Sequence, residues 1–290
     1  MNKNLKISIV IPVYNEGAYL KDCLDAIGSL KNKPLEVIVV DNNSFDDSAF
    51  IAKSFKFVTY VKESTQGVVY ARSRGFNEAR GDIIARIDAD TLLNDDWMVK
   101  VEEVFSQDKD LAAVSGESDY YDFVLRKFAN KVDLILRGYV ARRIPKTLFL
   151  HGANMAIRKS AWTKVKGKLC TVPGIHEDYD LAIHLSENGA KVIYREDIVA
   201  GVSIRRYGSS FFEFIRYTLV APRSYAAHNL RYERYFLPVL LCVWALYVPA
   251  HFLYLAFDKS ESKLSWQAYM ENRKQFSRVN PATFMAYDRQ

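Results

Sequence analysis

The sequence predicts an α/β fold, namely a doubly wound, mostly parallel sheet with a C-terminal helical appendage, and three observations lead to it. Apolar runs of strand length alternate with amphipathic helical patterns at short spacing through the first 91 residues. Polar side chains follow three of the predicted strands, at the sheet edge where ligands bind in folds of this type. Near the C-terminus, an apolar run without Lys, Arg, Asp or Glu occupies residues 236–257.

The individual elements follow from the spacing of apolar residues. In order, the pattern predicts the strand 6–12, a helix with apolar residues at 20, 23, 24, 27 and 30, the strand 35–40, the strand 57–62, a helix over about 67–79 and the strand 83–87. Ser44 and Asp47, three residues apart, predict the N-cap of a helix after the second strand. The strand and helix order therefore favours a parallel sheet with helices on both faces.

The fourth strand ends in two carboxylates, Asp88 and Asp90, one residue apart. Since side chains alternate along an extended chain, we expect both to face the same way. Oxygen ligands of this kind suit Mg²⁺ or Mn²⁺, which take substrate phosphates as further ligands. Two acidic residues after a strand are also common in solvated loops and helix caps, so the motif needs its context.

Two nucleotide-binding classes are disfavoured by missing motifs. The sequence has no G-x-G-x-x-G after the first strand and no G-x-x-x-x-G-K-[ST], so a dinucleotide-binding protein and a P-loop protein are disfavoured. A nucleotidyltransferase, which shares this kind of sheet, would need a glycine-rich phosphate loop after the first strand. A catalytically silent nucleotide-binding scaffold is a second alternative, and the intact carboxylates argue against it.

An ordered set of short motifs runs through the chain: Ile11-Pro12-Val13-Tyr14-Asn15-Glu16, Val40-Asp41-Asn42-Asn43-Ser44, Ala71-Arg72, Asp88-Ala89-Asp90, Gly152-Ala153-Asn154 and Glu177-Asp178. In order and approximate spacing this set resembles family 2 glycosyltransferases of the GT-A fold, a Rossmann-like fold. The resemblance covers roughly residues 5–210, and no Q-x-x-R-W motif of processive polymerases is present. It implies an inverting transfer of a sugar from a nucleotide donor, commonly a UDP-sugar, to a lipid-linked or glycan acceptor with Mg²⁺ or Mn²⁺.

The resemblance implies roles for residues on the donor side. Asp41 would accept a hydrogen bond from the nucleotide base, although the capping of the second helix is the alternative. Arg72 would reach the nucleotide from its helix; the alternative is a solvated charge, and Ala-Arg-Ser departs from the family's Ala-Arg-Asn. Asp88 would bind the donor diphosphate as well as the metal. The residues that would line the base and ribose are Pro12, Tyr14, Asn15 and Glu16.

On the acceptor side, the resemblance makes Asp178 the general base and places Glu177 beside it as an orienting or acceptor-binding residue. Both carboxylates would also simply favour the start of a helix. Gly152, Ala153 and Asn154 would form a loop near the donor sugar and acceptor. Arg205 and Arg206 would close over the diphosphate, and a basic patch facing lipid headgroups is equally compatible.

Composition and the C-terminal region predict the cellular context. The apolar run 236–257 is long enough to span a bilayer, and Arg216, Arg223, Arg231 and Arg234 precede it. A phenylalanine-rich amphipathic helix is also predicted over 208–225. Together the two segments predict a cytosolic catalytic domain that is held at the cytoplasmic face of a membrane by a span or a re-entrant segment. A helix packed in a soluble protein is the alternative. A net charge of +6 without a basic motif argues against nucleic acid.

These features predict three parts. The first is a catalytic domain over residues 1–207, with a nucleotide-sugar-binding half over about 1–91 and an acceptor-binding half over about 92–207. Membrane-associated helices over 208–257 and a polar tail over 258–290 follow.

Overall fold

The structure, a computed structural model, describes residues 5–143, 150–172, 174–230, 232–258 and 261–275. It comprises two compact units: the first consists of residues 1–118, 146–171 and 177–201, and the second of residues 119–145, 172–176 and 202–290. The functional division at residues 207 and 257 stays a prediction. Arg231 and residues 276–290 of the polar tail lie outside the described residues.

Helices and strands alternate through most of the described chain. Its first part contains β1 (Ile7–Val13), α1 (Gly17–Ser29), β2 (Glu36–Asp41), α2 (Ser48–Ser54), β3 (Val58–Lys62), α3 (Val68–Glu78), β4 (Ile83–Arg86), β5 (Leu92–Leu93), α4 (Trp97–Gln107) and β6 (Leu111–Asp119). Its second part contains α5 (Arg126–Ala141), β7 (Met155–Arg158), α6 (Lys159–Val165), α7 (Glu177–Glu187), β8 (Lys191–Gly201), a 3-10 turn (Arg205–Gly208), α8 (Phe211–Thr218), α9 (Val220–Ala227), α10 (Glu233–Ala256), β9 (Phe257–Asp258), β10 (Lys263–Leu264) and α11 (Trp266–Gln275).

The described strands of the first unit form a mixed sheet in the order β3-β2-β1-β4-β7-β6-β8-β5. β3, β2, β1 and β4 are parallel to one another, whereas β7 runs antiparallel to β4. The predicted α/β fold, with its doubly wound and mostly parallel sheet, is therefore confirmed. The carboxyl ends of the four parallel strands lie at one edge of the sheet, and the candidate residues come directly after these strand ends.

Period-two alternation explains why helices cover both faces of this sheet. Ile9 and Ile11 of β1 pack in one buried cluster with α1 and α4, while Val10 between them packs in another with α3, α6 and α7. Gly75 lets α3 approach closely, because a Cβ there would lie 2.3 Å from Cγ1 of Val10.

Two local predictions are wrong. Helix α2 begins at Ser48, and the Ser44 hydroxyl accepts a hydrogen bond from the Asn15 N–H at 3.0 Å, so Ser44 and Asp47 are not the cap pair of this helix. The phenylalanine-rich helix over 208–225 is two helices, α8 and α9, which meet at Leu219. For Ser44, a contact with the turn after β1 replaces the predicted cap.

Helix α10 of the second unit contains the apolar run. It continues through Pro238 and Pro249, and Arg234–Ala256 is the one described helix that is long and apolar enough to cross a membrane. One face packs on its own unit, where the Tyr247 hydroxyl donates to the Ser209 carbonyl. The opposite face exposes apolar side chains, namely Leu237, Leu241, Val248 and Phe252.

Candidate active site

The Asp88–Asp90 segment is a tight turn and not the end of an extended strand. β4 ends at Arg86, and the Thr91 N–H donates to the Asp88 carbonyl at 3.0 Å. The Thr91 hydroxyl accepts a hydrogen bond from the Asp88 N–H at 3.2 Å and lies 3.3 Å from the Ala153 carbonyl oxygen. The argument from side-chain alternation therefore does not apply to these two residues; the Asp88 side chain is 42% exposed, whereas Asp90 is buried.

Arg86, which the sequence analysis did not select, lies at the centre of the site. Its Nη2 atom is 2.8 Å from Asp88 Oδ1 and 3.0 Å from Glu177 Oε1, although the side chain is only 6% exposed. A Cβ on Gly152 would lie 1.0 Å from Arg86 Nη1, so only glycine leaves room for the guanidinium. A signal was present in the sequence, because a charge within the apolar run 83–87 requires a buried partner.

Glu177 and Asp178 form the first turn of α7, as predicted. Asp178 Oδ2 accepts a hydrogen bond from the Gly152 N–H at 3.1 Å, and Oδ1 accepts one from the Tyr179 N–H at 2.9 Å. These bonds fix the orientation of a half-buried carboxylate. The structure thus brings the Gly152 loop and the start of α7 together.

Arg72 stabilises the first turn of α7. It is completely buried, and its Nη1 donates to the Glu177 carbonyl at 2.5 Å, so it is not a solvated charge. Burial lowers the pKa of Arg72 to about 10, with the Glu177 carboxylate opposing the shift. Its Nε and Nη2 atoms have no hydrogen-bond partner among the described residues. The contact of Arg72 with a nucleotide stays a prediction.

The predicted substrate-binding loop 152–154 lies beside Asp178, but the side chains of Ala153 and Asn154 are buried and so do not reach a substrate. Asn154 is fully buried: its amide donates to the Glu117 and Ile198 carbonyls and accepts from the indole of Trp97, at 2.8–2.9 Å. Ala153 is also buried. Because their polar groups are engaged inside the protein, these residues position the loop, and Gly152 provides the N–H for Asp178.

On the donor side, the turn after β1 binds the turn after β2. Asn15 has a positive φ of 55°, and its Oδ1 accepts a hydrogen bond from the Phe45 N–H at 2.9 Å. Asp41 is buried and accepts hydrogen bonds from the Ser44 N–H at 2.9 Å and from the Tyr60 hydroxyl at 2.8 Å. Burial and then this hydrogen bond raise the pKa of Tyr60 to about 12, so the phenol remains a donor at neutral pH.

An aromatic pair lies beside this turn. The Phe45 side chain is 79% exposed, and its ring meets Tyr14 edge to face with 6.2 Å between centroids. Pro12 at the end of β1 is half-buried, and the Glu16 N–H donates to the Ser48 hydroxyl at 2.8 Å. The four predicted base-lining residues thus lie at the end of β1 and in the turn after it, and three of them contact the segment that follows Asp41. Their contact with a nucleotide stays a prediction. Phe45 was missed, because its position next to Tyr14 depends on two separate turns.

Arg205 and Arg206 belong to the second unit. They begin a 3-10 turn, and the Arg206 guanidinium lies 3.5 Å from the centroid of the Tyr217 ring. Their contact with a diphosphate stays a prediction.

The residues at the Asp88–Asp90 turn fit a divalent cation. Both offer hard carboxylate oxygens, and the Asp88 side chain is 42% exposed, so a cation from solvent can reach it. Burial, followed by the charges of Asp90 and Asp88, raises the pKa of the nearby Cys23 thiol. Cys170, Asp180 and His184 also lie close together, but a thiol and an imidazole suit Mg²⁺ or Mn²⁺ poorly.

The comparisons with known proteins agree with this geometry. Residues 8–165, more than half of the chain, match the model of the family "Glycosyl transferase family 2". Glycosyltransferase GlyA of Streptococcus pneumoniae is 31% identical over 122 residues, 41% of this chain and 17% of GlyA. The chain spans less than half the length of several such relatives.

Two similarities extend further along the chain. The glucosyl-dolichyl phosphate glucuronosyltransferase of Haloferax volcanii is 22% identical over 228 residues, 71% of this chain and 72% of that protein. The mannosyltransferase PcManGT of Pyrobaculum calidifontis, solved with GDP-Man and Mn²⁺, has a TM-score of 0.64 at 21% identity and aligns over 98% of this chain and 84% of its own. This last likeness establishes a shared fold.

Proposed function

Because the chain belongs to glycosyl transferase family 2, we propose that it transfers a sugar with inversion from a UDP-sugar to a hydroxyl of a lipid-linked or glycan acceptor. The observation that carries the proposal is a set of contacts in the first unit that link the Asp88 turn, the Gly152 loop and the start of α7. Arg86 joins Asp88 to Glu177, the Gly152 N–H binds Asp178, and Thr91 joins the Asp88 turn to the loop after Gly152. These contacts hold the proposed metal ligands of the Asp88 turn and the proposed base at the start of α7 in fixed positions relative to each other.

Asp178 is the proposed general base. In an inverting transfer the acceptor oxygen forms its bond to the anomeric carbon as the bond to the leaving diphosphate breaks, and the hydroxyl proton must pass to a base. The Asp178 carboxylate accepts hydrogen bonds from the Gly152 and Tyr179 N–H groups, and these bonds set the direction in which it meets the acceptor hydroxyl. A base positioned in this way contributes about 10²- to 10⁴-fold.

Asp88 and Asp90 would hold Mg²⁺ or Mn²⁺. When bound, the metal supplies charge neutralisation at the leaving diphosphate. The protein's own contribution is to keep the two carboxylates in a tight turn, closed by the Thr91 N–H and hydroxyl. The bound metal in PcManGT, which shares this fold, supports the proposal.

The proposed base and ribose site is the junction of the turns after β1 and β2. Asp41 accepts hydrogen bonds only, which suits an imino N–H of uracil, and Tyr60 and the Ser44 N–H hold it in place. Tyr14 and the exposed Phe45 offer aromatic surface for the nucleoside.

We also propose that the protein acts at the cytoplasmic face of a membrane. Support comes from α10, which exposes an apolar face over several turns, and from a relative whose name includes a dolichyl phosphate-linked sugar. This location would bring a lipid-linked acceptor to a cytosolic nucleotide sugar.

The deciding experiment incubates the purified full chain with a panel of UDP- and GDP-sugars and Mn²⁺ and measures nucleoside diphosphate release, with and without lipid-linked and glycan acceptors. Release of UDP from one sugar, increased by an acceptor, supports the proposal. Release of GDP alone would overturn the assignment of uracil, and release of pyrophosphate from a nucleoside triphosphate would indicate nucleotidyl transfer instead. Nucleotide binding without any turnover would favour a silent scaffold.

A further inference from the structure

Arg86 contacts both groups of carboxylates through one atom. Nη2 lies 2.8 Å from Asp88 Oδ1, in the turn proposed to hold the metal, and 3.0 Å from Glu177 Oε1, which precedes the proposed base. Asp88 is 42% exposed, whereas the side chains of Arg86 and Glu177 are 6% and 11% exposed. The Glu177 contact is therefore the better shielded of the two, and the Asp88 contact is the one a solvent ion can reach.

The surrounding structure keeps Arg86 in this position. Gly152 leaves the space that Nη1 occupies, and the same glycine donates its N–H to Asp178. Arg72 holds the carbonyl of Glu177 from the other side. Glu177 is thus bound by one guanidinium at its side chain and by another at its backbone, so that a change at its side chain is passed to the first turn of α7.

We propose that Arg86 is a positioning residue that couples a divalent cation at Asp88 to the orientation of the Glu177–Asp178 turn. A cation at Asp88 competes with Arg86 for the carboxylate, and Arg86 then binds Glu177 more strongly. Asp178, the proposed proton acceptor, is thereby ordered when a cation is bound at Asp88. This inference rests on the proposed function, because it uses the proposed metal site and base.

The first test is a double-mutant cycle on Mn²⁺ affinity, measured by electron paramagnetic resonance of free Mn²⁺ with the full chain and no nucleotide. Glu177→Gln removes the charge of one of the two carboxylates that Nη2 contacts and strengthens the contact with Asp88, so Mn²⁺ binding should weaken by about fivefold or more. In an Arg86→Gln background the same change should alter the affinity less than twofold. Equal effects of Glu177→Gln in the two backgrounds would overturn the proposal, as would a wild-type protein that binds no Mn²⁺.

A matched control is available at the opposite end of the sheet. Arg80 pairs with Glu36 at 2.8 Å, so Arg80→Gln also removes an arginine from a carboxylate but lies away from the Asp88 turn. It should leave Mn²⁺ affinity unchanged. A change in Mn²⁺ affinity in Arg80→Gln equal to the change in Arg86→Gln would show that the Arg86 effect is a general consequence of altered charge.

A second measurement avoids variants that fail to fold. Hydrogen exchange of wild-type protein is followed with and without Mn²⁺ in peptides that cover the start of α7 and, as a reference, α1. Mn²⁺ should slow exchange at the start of α7, and unchanged exchange there would overturn the coupling. If the coupling is observed but no sugar is transferred, the proposed function fails while the role of Arg86 stands.

Discussion

Gly152→Ala is the substitution whose consequence the structure defines most sharply. The added Cβ would lie 1.0 Å from Arg86 Nη1 and 2.3 Å from its Cζ, whereas ordinary contact begins at 3.4 Å. The guanidinium must therefore retreat by about 2.4 Å, which is more than a hydrogen bond tolerates. Both contacts of Nη2, to Asp88 and to Glu177, are lost together.

The size of the effect follows from burial. Asp88 is 42% exposed, so water replaces much of its contact and that loss contributes little. Glu177 is 11% exposed and would lose this partner, and breaking a buried pair in this way costs about 3–5 kcal/mol. Replacing glycine with alanine also lowers the conformational entropy of the unfolded chain, which recovers about 0.4–1 kcal/mol of stability. We expect a net loss of about 2–4 kcal/mol, or about 5–15 °C in Tm.

The assay is urea unfolding followed by tryptophan fluorescence, since Trp97 and Trp162 are buried in the first unit. Two alanine variants serve as controls. A Cβ on Gly167 would meet nothing within 4 Å, so Gly167→Ala should be neutral or slightly stabilising. Gly75→Ala should destabilise the protein by overpacking against Val10, while the orientation of Arg86 is unchanged.

Sugar transfer provides the second readout. Gly152→Ala should also reduce transfer severely, because it displaces the partner of Glu177 and moves the N–H that orients Asp178. A Gly152→Ala protein as stable and as active as wild type would refute the reasoning, since Arg86 would then not depend on the space that the glycine leaves.

Further predictions address the reaction, the metal, pH and the membrane. Asp178→Asn should retain donor binding, measured by calorimetry, and lose transfer; wild-type transfer rates would move the base to Glu177 or Asp180. Asp90→Ala should lower transfer by orders of magnitude with little change in Tm, and activity undiminished by EDTA would exclude metal dependence. Hydrogen bonds from Arg80 and Ser8 lower the pKa of Glu36 against the effect of burial, so Glu36→Gln should cost stability at pH 7. That difference should vanish as the pH falls through the folded-state pKa, which lies below 4.5, and a constant difference would contradict it. The full chain should resist carbonate extraction, and Leu241→Glu with Val248→Glu should release it from membranes; recovery of wild type as a soluble monomer without detergent would refute membrane association.

The sequence alone determined the elements that depend on local pattern. Strands β1 to β4 and helices α1 and α3 follow from apolar spacing, and the ordered motifs by themselves indicate the family. These features are readable because alternation and helical periodicity are properties of neighbouring residues. The start of α7 at Glu177 was readable for the same reason, since carboxylates favour the first turn of a helix.

Tertiary structure decided what the polar residues do. Arg86 lies 91 positions from Glu177, and Gly152 lies between them in sequence, so no local pattern reveals that the glycine makes room for the arginine. Asn154 resembles a substrate ligand in a motif, but burial directs its amide to the carbonyls of Glu117 and Ile198. A buried polar group must find a partner wherever the folded chain offers one, and for these residues the partner comes from a distant part of the chain.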